Sequence, residues 1–282
     1  MVTKALFVGG TAGIGYAMAS RLAVEPTASI IVAGRHKPEQ LPTNVEYRAL
    51  DASLMRNIKR FTDEYKSDPK NSEDKLDWVV LTQGLLTTAP RTETAEGIDL
   101  KMALHYYGRQ LVIRELLPVM KDDCKVIVCL DSIRGDPKQV KWDDMDLKNS
   151  FTLGNAAMHC MAFNDAMIRW HAANQGTSTR HFVHCFPRFV KTNISKSLPW
   201  YLRAPMKVLV PLVSTPADQY AEKLITGTLE VAKSGQKENR FYTYLDHEGH
   251  AVSGRPPWTD EQLEKVKEHT WKMVDEAIAK PI

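Results

Sequence analysis

The fold is decided near the start of the chain by Leu6-Phe7-Val8-Gly9-Gly10-Thr11-Ala12-Gly13-Ile14-Gly15. An apolar run that passes through spaced glycines into helix-forming residues predicts a buried strand, a tight turn and a helix. Glycines at 9, 13 and 15 keep side chains out of the turn, so the backbone can approach a pyrophosphate at the positive end of the helix dipole. We call residues 9–15 the glycine turn and interpret it as a dinucleotide-binding turn, with an ordinary glycine-rich loop as the alternative.

The next strand candidate indicates which dinucleotide the turn would take. Residues 30–33 form a short, mostly β-branched run, and Gly34-Arg35-His36-Lys37 follows it. A right-handed crossover places Arg35 beside the adenosine ribose, where proteins that bind NAD have an acidic residue. A guanidinium suits a 2′-phosphate, so the sequence predicts NADP(H) as cofactor; a solvated basic turn is the alternative.

Further strand candidates alternate with helical patterns along the chain. Strands are expected at 45–50, 78–81, 125–130 and 180–186, and long helices at 96–120 and 151–171. This alternation predicts an α/β fold: a single doubly wound Rossmann-type domain over residues 1–282, with a parallel sheet of about seven strands and helices on both faces. The active crevice is then expected at the carboxyl ends of the strands.

Composition excludes several classes of function. The 282 residues include 37 basic and 34 acidic side chains, a net charge of +3, which does not favour nucleic acid as a partner. The four cysteines lack metal-ligand spacing, so we expect buried free thiols and no metal. No apolar run approaches the roughly 18 residues of a membrane span. A cytoplasmic location is the expectation.

With these turns in place, the chain resembles the short-chain dehydrogenase/reductase superfamily, as a divergent member with short signatures similar to its retinol-dehydrogenase-like branch and fungal relatives. The glycine turn is similar to its cofactor motif, Thr82-Gln83-Gly84 stands where Asn-Ala-Gly is usual, and residues 187–192 are similar to its Pro-Gly-x-Val-x-Thr element. The resemblance implies that the cofactor is bound by Gly9, Thr11, Ala12, Gly13, Ile14, Gly15, Arg35, Asp51, Gln83, Gly84, Asn155, Pro187, Val190 and Thr192.

The departure from this family concerns its catalytic groups. The family uses a tyrosine to protonate the substrate oxygen and a lysine one helical turn later to lower the pKa of that tyrosine. The alignment puts Phe151 and Asn155 at these positions, and no tyrosine occurs between Tyr107 and Tyr201. Loss of a general acid costs about 10²- to 10⁴-fold in rate, so carbonyl reduction by the usual route should be impaired.

Four other side chains are candidates for catalysis. Ser132 matches the family's catalytic serine and is expected to point into the crevice. His105 stands where the family has an asparagine and is the first alternative acid, although a helix histidine bonded to a backbone carbonyl is the commoner case. Arg134 and Arg188 flank the same edge and could stabilise an enolate or bind a carboxylate, or be solvated surface cations.

The segment 193–215 matches the family's substrate-covering region. Its residues 198–213 are apolar and aromatic, which favours a hydrophobic small-molecule substrate; a core or subunit-contact helix is the alternative. The resemblance also allows a homodimer through the helices at 96–120 and 151–171. The expected function is an NADP(H)-dependent oxidoreductase acting on a hydrophobic carbonyl, imine or enone. The alternative is a non-redox cyclase or isomerase, or a noncatalytic NADP(H)-binding protein.

Overall fold

Seven parallel strands form the central sheet of the chain. We describe residues 3–191 and 214–281 of a computed structural model. The sheet has the order β3-β2-β1-β4-β5-β6-β9, which confirms the predicted doubly wound α/β fold. Its strands are β1 Lys4–Val8, β2 Ser29–Gly34, β3 Val45–Ala49, β4 Leu76–Leu81, β5 Met120–Cys129, β6 His181–Cys185 and β9 Tyr242–Leu245; a separate parallel pair is formed by β7 Val190–Lys191 and β8 Thr215–Pro216.

Helices cover both faces of this sheet. One face carries α1 and α7, and the other carries α2, α5, α6 and α8. Strand β1 shows why both faces are covered: Leu6 and Val8 enter one apolar core, while Phe7 enters the other. Every residue of β1 is therefore buried, as the apolar run predicts. The helices are α1 Gly13–Leu22, α2 Met55–Ser67, α3 Pro69–Glu73, α4 Leu100–Met102, α5 Gly108–Leu116, α6 Leu153–Ala173, α7 Ala217–Glu238 and α8 Asp260–Ala279.

The helix predicted at 96–120 is shorter and is interrupted. It begins at Leu100, because the Asp99 carboxylate accepts hydrogen bonds from the first amides of α4, and α5 ends at Leu116, just before Pro118. Between α4 and α5 a π-helical turn covers Ala103–Tyr107. π turns within helices are rare and recur at functional sites. This turn contains His105, one of the predicted site residues.

Helix α8 packs against the helices predicted to form a dimer contact. Tyr107 Oη on the π turn lies 2.7 Å from His269 Nε2, and Arg114 on α5 donates to Asp275 at 2.8 Å. Trp170 on α6 likewise donates to a carboxylate of α8. This face of α5 and α6 is thus occupied within the chain, and the homodimer stays a prediction. None of the described helices combines the length and apolarity that crossing a membrane requires.

Candidate nucleotide and substrate site

The glycine turn follows β1 directly and is closely packed against the end of β4. Gly9 has φ +85°, and a Cβ there would lie 2.4 Å from the backbone nitrogen of Gln83. A Cβ at Gly15 would lie 2.5 Å from Thr82 Oγ1. Only glycine satisfies both the left-handed backbone and the close approach. The turn therefore brings the chain backbone to the carboxyl end of the sheet, as the sequence predicts.

Helix α1 begins in this turn without a capping side chain. Its N-cap residue, Ala12, is extended and offers no acceptor, and its first turn contains no acidic residue. The amides at the start of α6, by contrast, are capped by Thr152, and those of α8 by Thr259. Uncapped amides at the positive end of a helix suit an anion. This arrangement fits the predicted pyrophosphate of a dinucleotide.

The end of β2 lies against the same turn. A Cβ at Gly34 would come within 2.6 Å of Thr11 Oγ1. The next residue, Arg35, is exposed and has no hydrogen bond or ion pair within residues 3–191 and 214–281. Asp51 follows β3 and accepts hydrogen bonds from the amide and hydroxyl of Ser53 at 3.0 and 2.7 Å through one oxygen. Arg35 and Asp51, the residues predicted for the adenosine end, thus follow two neighbouring strands, and their role stays a prediction.

Gln83 follows β4 and carries an unsatisfied buried amide. Its side chain is 6% exposed, and neither the amide oxygen nor the amide nitrogen has a hydrogen-bond partner in the described part of the chain. A buried amide without partners costs free energy, of the order of 1–3 kcal/mol. Because its backbone nitrogen lies against Gly9, this amide is well placed to bind a nucleotide in the glycine turn.

Sequence reasoning missed Arg109, a fully buried cation at the same edge. The guanidinium on α5 is 1% exposed and donates to three backbone carbonyls: Gln83 O at 2.6 Å, Cys129 O at 2.9 Å and Leu104 O at 3.3 Å. It therefore joins the ends of β4 and β5. A buried arginine cannot be distinguished in the sequence from the exposed arginines of an amphipathic helix.

Ser132 was expected to point into the crevice but lies in the core. It is 0% exposed, and its hydroxyl donates to Leu245 O at the end of β9 at 2.7 Å. Strand β9 was not among the strands located from the sequence, so this acceptor could not be foreseen. The serine hydroxyl therefore links the turn after β5 to the edge strand β9, and its proton is already used in this hydrogen bond.

The hydrogen bonding and burial of His105 do not fit its predicted role as an acid. Its Nε2 accepts a hydrogen bond from the amide of Leu85 at 2.9 Å, just after the turn at Gly84. Burial, and next the charge of Arg109, lower the pKa of His105 from 6.5 to about 3. The imidazole is therefore neutral at neutral pH and uses its lone pair to hold the β4 turn. The structure argues against it as the proton donor.

Buried neutral histidines make stability depend on pH, and His171 is the clearest example. Burial lowers the pKa of His171 from 6.5 to about 3, and the side chain is 3% exposed. As the pH falls, the unfolded chain binds the proton first. The contribution of neutral His171 to the free energy of unfolding is therefore complete above about pH 6.5 and falls by up to about 1.4 kcal/mol per pH unit below it. We expect Tm to fall between about pH 7 and pH 5, and His171→Gln to reduce this slope. The exposed His36→Gln is the control, and equal slopes in wild type and His171→Gln would contradict the argument.

The positions aligned with the family's tyrosine and lysine do not share a helical face. Helix α6 begins at Leu153, so Phe151 precedes it, and the Nζ of Lys101 lies 5.0 Å from the centre of the Phe151 ring. Asn155 donates to Ser150 O at 2.7 Å. Both residues thus lie at the start of α6, which corrects their predicted placement one turn apart on the helix; the cofactor-binding role of Asn155 stays a prediction.

Another face of α6 meets the turn after β5. A Cβ at Gly135 would lie 3.0 Å from Met161 O and 2.4 Å from a carboxylate oxygen of Asp165. Ala157 and Met161 precede Asp165 at four-residue spacing on this face, and both are partly exposed. Neither can donate a proton. Asp165 is 1% exposed and binds His184 Nδ1 and Arg255, each at 2.5 Å.

Arg134 and Arg188 remain accessible at the carboxyl ends of β5 and β6. The Arg134 side chain is 65% exposed and lies 3.5 Å from Asp131. Arg188 is exposed, with φ +52° and its guanidinium 3.4 Å from His247 Nε2. The left-handed backbone at Arg188 is the conformation that a glycine adopts freely.

The remaining predicted residues lie only partly within the described chain. Pro187 and Val190 flank Arg188 after β6, and Val190 begins the short strand β7. Thr192 and most of the predicted substrate-covering segment 193–215 lie outside the described residues. Their proposed roles stay predictions.

Apolar side chains are concentrated at this edge of the sheet. Among the described residues, six large hydrophobic side chains are strongly exposed, and four of these follow β4, β5 or β6 or begin α6. We call these four the apolar rim: Leu86 at 38%, Ile133 at 39%, Leu153 at 39% and Phe189 at 56% exposed. Such side chains indicate a binding site where they form one contiguous patch, whereas single exposed apolar residues are common on any protein surface.

Comparison with known proteins relates the chain to oxidoreductases. No family model matches it. It is 33% identical over 204 residues to Oxidoreductase AN1596 of Emericella nidulans, a match over 67% of this chain and 59% of that protein. It is 25% identical over 284 residues to Uncharacterized oxidoreductase YKL107W of Saccharomyces cerevisiae, over 96% of this chain and 87% of that protein.

The fold has solved counterparts as well. A short-chain dehydrogenase/reductase of Burkholderia multivorans with bound NADP superposes with a TM-score of 0.58 at 16% identity, over 89% of this chain and 99% of that chain. At this identity the likeness shows the fold: the chain has the fold of short-chain dehydrogenase/reductase proteins. This confirms the resemblance inferred from the glycine turn, and the names of the relatives support the oxidoreductase class.

Proposed function

We propose that the chain is an NADP(H)-dependent oxidoreductase acting on a hydrophobic small-molecule carbonyl, imine or enone. The observation that carries the proposal is Arg35, exposed and without an ion pair in the described residues, beside the glycine turn. A free guanidinium at the end of the second strand suits a 2′-phosphate. The NADP bound by the Burkholderia protein of the same fold supports this choice.

The chain's own groups would hold the nucleotide from two sides. The uncapped amides at the start of α1 would bind the pyrophosphate, and the unpartnered amide of Gln83 would bind the nicotinamide half. When bound, NADPH supplies the hydride. Gly9 and Gly15 let the backbone of the glycine turn lie against Thr82 and Gln83 at the end of β4, which brings the two nucleotide-binding groups together.

The proton chemistry of the site must differ from the family's. Phe151 cannot donate a proton, and neither can Ala157 or Met161 on the face of α6 that meets the turn after β5; Ser132 is engaged with β9. Arg134 and Arg188 are the accessible cations at this edge, and we propose that they stabilise a developing oxyanion while water provides the proton. A substrate that is already electrophilic, such as an iminium or enone, depends least on this stabilisation and protonation.

The apolar rim supports a hydrophobic substrate. Burial of apolar surface is worth about 25 cal/mol per Å², so covering these side chains would contribute directly to affinity. The rim residues follow β4, β5 and β6 or begin α6, and Gln83 and Arg134 follow β4 and β5 at the same edge of the sheet.

Nucleotide binding tests the proposal most directly. We expect NADPH to bind at least about tenfold more tightly than NADH, because the 2′-phosphate gains charge-assisted hydrogen bonds. Arg35→Ala should reduce this ratio towards one. Arg60→Ala, which removes another exposed arginine, on α2, is the control and should leave the ratio unchanged. Equal affinity of the wild-type protein for NADH and NADPH would overturn the cofactor assignment.

The second candidate is a protein that binds NADP(H) without redox chemistry, as a cyclase, isomerase or sensor. The apolar character of Ala157 and Met161, on the face of α6 that meets the turn after β5, favours this second candidate. A panel of apolar aldehydes, ketones, iminium ions and enones, followed by loss of NADPH absorbance, separates the two. NADPH binding without oxidation by any member would favour the second candidate; turnover of one would favour the first.

A further inference from the structure

Arg109 is a buried charge without a counter-charge in the described part of the chain. Its guanidinium donates only to backbone carbonyls, and no carboxylate lies within 4.0 Å of it in residues 3–191 and 214–281. Burying an ion without a charged partner costs several kcal/mol. Carbonyl dipoles offset only part of this cost, so the site keeps an uncompensated positive potential.

The position of this charge relates it to one half of the predicted nucleotide. Dinucleotides lie across the point where the strand order reverses, with one half on each side. Arg35 and Asp51 follow β2 and β3, which places the adenosine half over those strands. The nicotinamide half then lies over β4 and β5, whose ends are joined by Arg109 through Gln83 O and Cys129 O.

The two redox forms of the nucleotide differ in charge at this half alone. The oxidised nicotinamide ring carries one more positive charge than the reduced ring, while the phosphates are the same in both. A fixed buried cation nearby disfavours the oxidised ring, and low polarisability of the surroundings strengthens the effect. We propose that Arg109 makes this site select NADPH over NADP⁺. The inference rests on the proposed function, since it requires NADP(H) in the glycine turn.

Arg109 stays charged under ordinary conditions. Burial lowers its pKa from 12.5 to about 10, so the guanidinium is protonated at neutral pH. Its direct contacts are with the backbone, which makes it a positioning residue that acts on the nucleotide through its field and through Gln83.

Separate dissociation constants for NADPH and NADP⁺ test the inference. We expect the wild-type protein to bind NADPH about tenfold more tightly than NADP⁺. Arg109→Gln should bring the ratio close to one, mainly by tightening NADP⁺, whereas Arg109→Lys should keep the preference. Arg114→Gln, a partly exposed arginine of α5 paired with Asp275, is the matched control and should leave the ratio unchanged.

The outcomes separate this inference from the proposed function. A purely structural role for Arg109 would weaken both nucleotides together and leave their ratio unchanged, which would overturn the inference. Equal affinity of the wild-type protein for the two forms would also overturn it, even if Arg109→Gln does not fold. Failure of the wild-type protein to bind either form would overturn the proposed function itself.

Discussion

Asp165→Ala is expected to lower the free energy of unfolding by about 3–5 kcal/mol, because it leaves a buried charge without its partner. Asp165 binds both His184 and Arg255 and is 1% exposed. Arg255 also donates to Ile133 O and Gly135 O, so the loss would loosen the turn after β5. Urea denaturation measures the change.

Two further variants distinguish this explanation from a general effect of removing a carboxylate. Asp218→Ala removes a 73% exposed partner of Arg21 and should cost no more than about 1 kcal/mol. The double variant Asp165→Leu with Arg255→Met removes both charges and should recover much of the lost stability. Equal losses for Asp165→Ala and Asp218→Ala, or no recovery in the double variant, would contradict the buried-charge explanation.

Gly9→Ala is expected to abolish tight nucleotide binding and to destabilise the fold. The added Cβ would lie 2.4 Å from Gln83 N and 2.7 Å from Thr82 C, and both of these are backbone atoms that cannot move alone. The left-handed backbone adds a cost of about 1–2 kcal/mol. We expect NADPH affinity to fall by at least about a hundredfold, since the turn and Gln83 must separate. Calorimetric titration with NADPH measures it.

Gly176→Ala is the matched control for backbone conformation. Gly176 has φ +65°, but a Cβ there would meet nothing within 4 Å. This variant should lose only the conformational cost of about 1–2 kcal/mol and keep NADPH affinity. If Gly9→Ala binds NADPH as well as Gly176→Ala does, close approach of β4 to the glycine turn is not required for binding.

The sequence predicted those parts of the site that depend on local pattern. The glycine turn, the cation at Arg35 and most strands follow from short runs whose meaning does not depend on distant residues. Arg109, and the cluster of Asp165, His184 and Arg255, could not be predicted, because their partners lie 19 to 90 residues away or are backbone carbonyls. Ser132 was misplaced for the same reason: its acceptor belongs to a strand that had not been located.

The π turn and the start of α6 show a second limit. Apolar spacing predicted helices at 96–120 and 151–171, but it does not indicate where a helix changes its hydrogen-bond pattern or begins. A shift of two residues at the start of α6 was enough to place Phe151 outside the helix. The comparison of site positions with the family depended on that boundary.

The hydrogen bonds that hold the turn after β5 have a consequence for folding of the site during translation. The hydroxyl of Ser132 is held by Leu245 O, 113 residues later, and the carbonyl of Ile133 by Arg255, 122 residues later. A domain generally folds as a unit, so contacts between distant residues must all be available before it is complete. Residues 131–135 can therefore take their final positions only after β9 and the loop that follows it have emerged from the ribosome. A nascent chain stalled before residue 245 would lack both of the groups that hold the turn after β5.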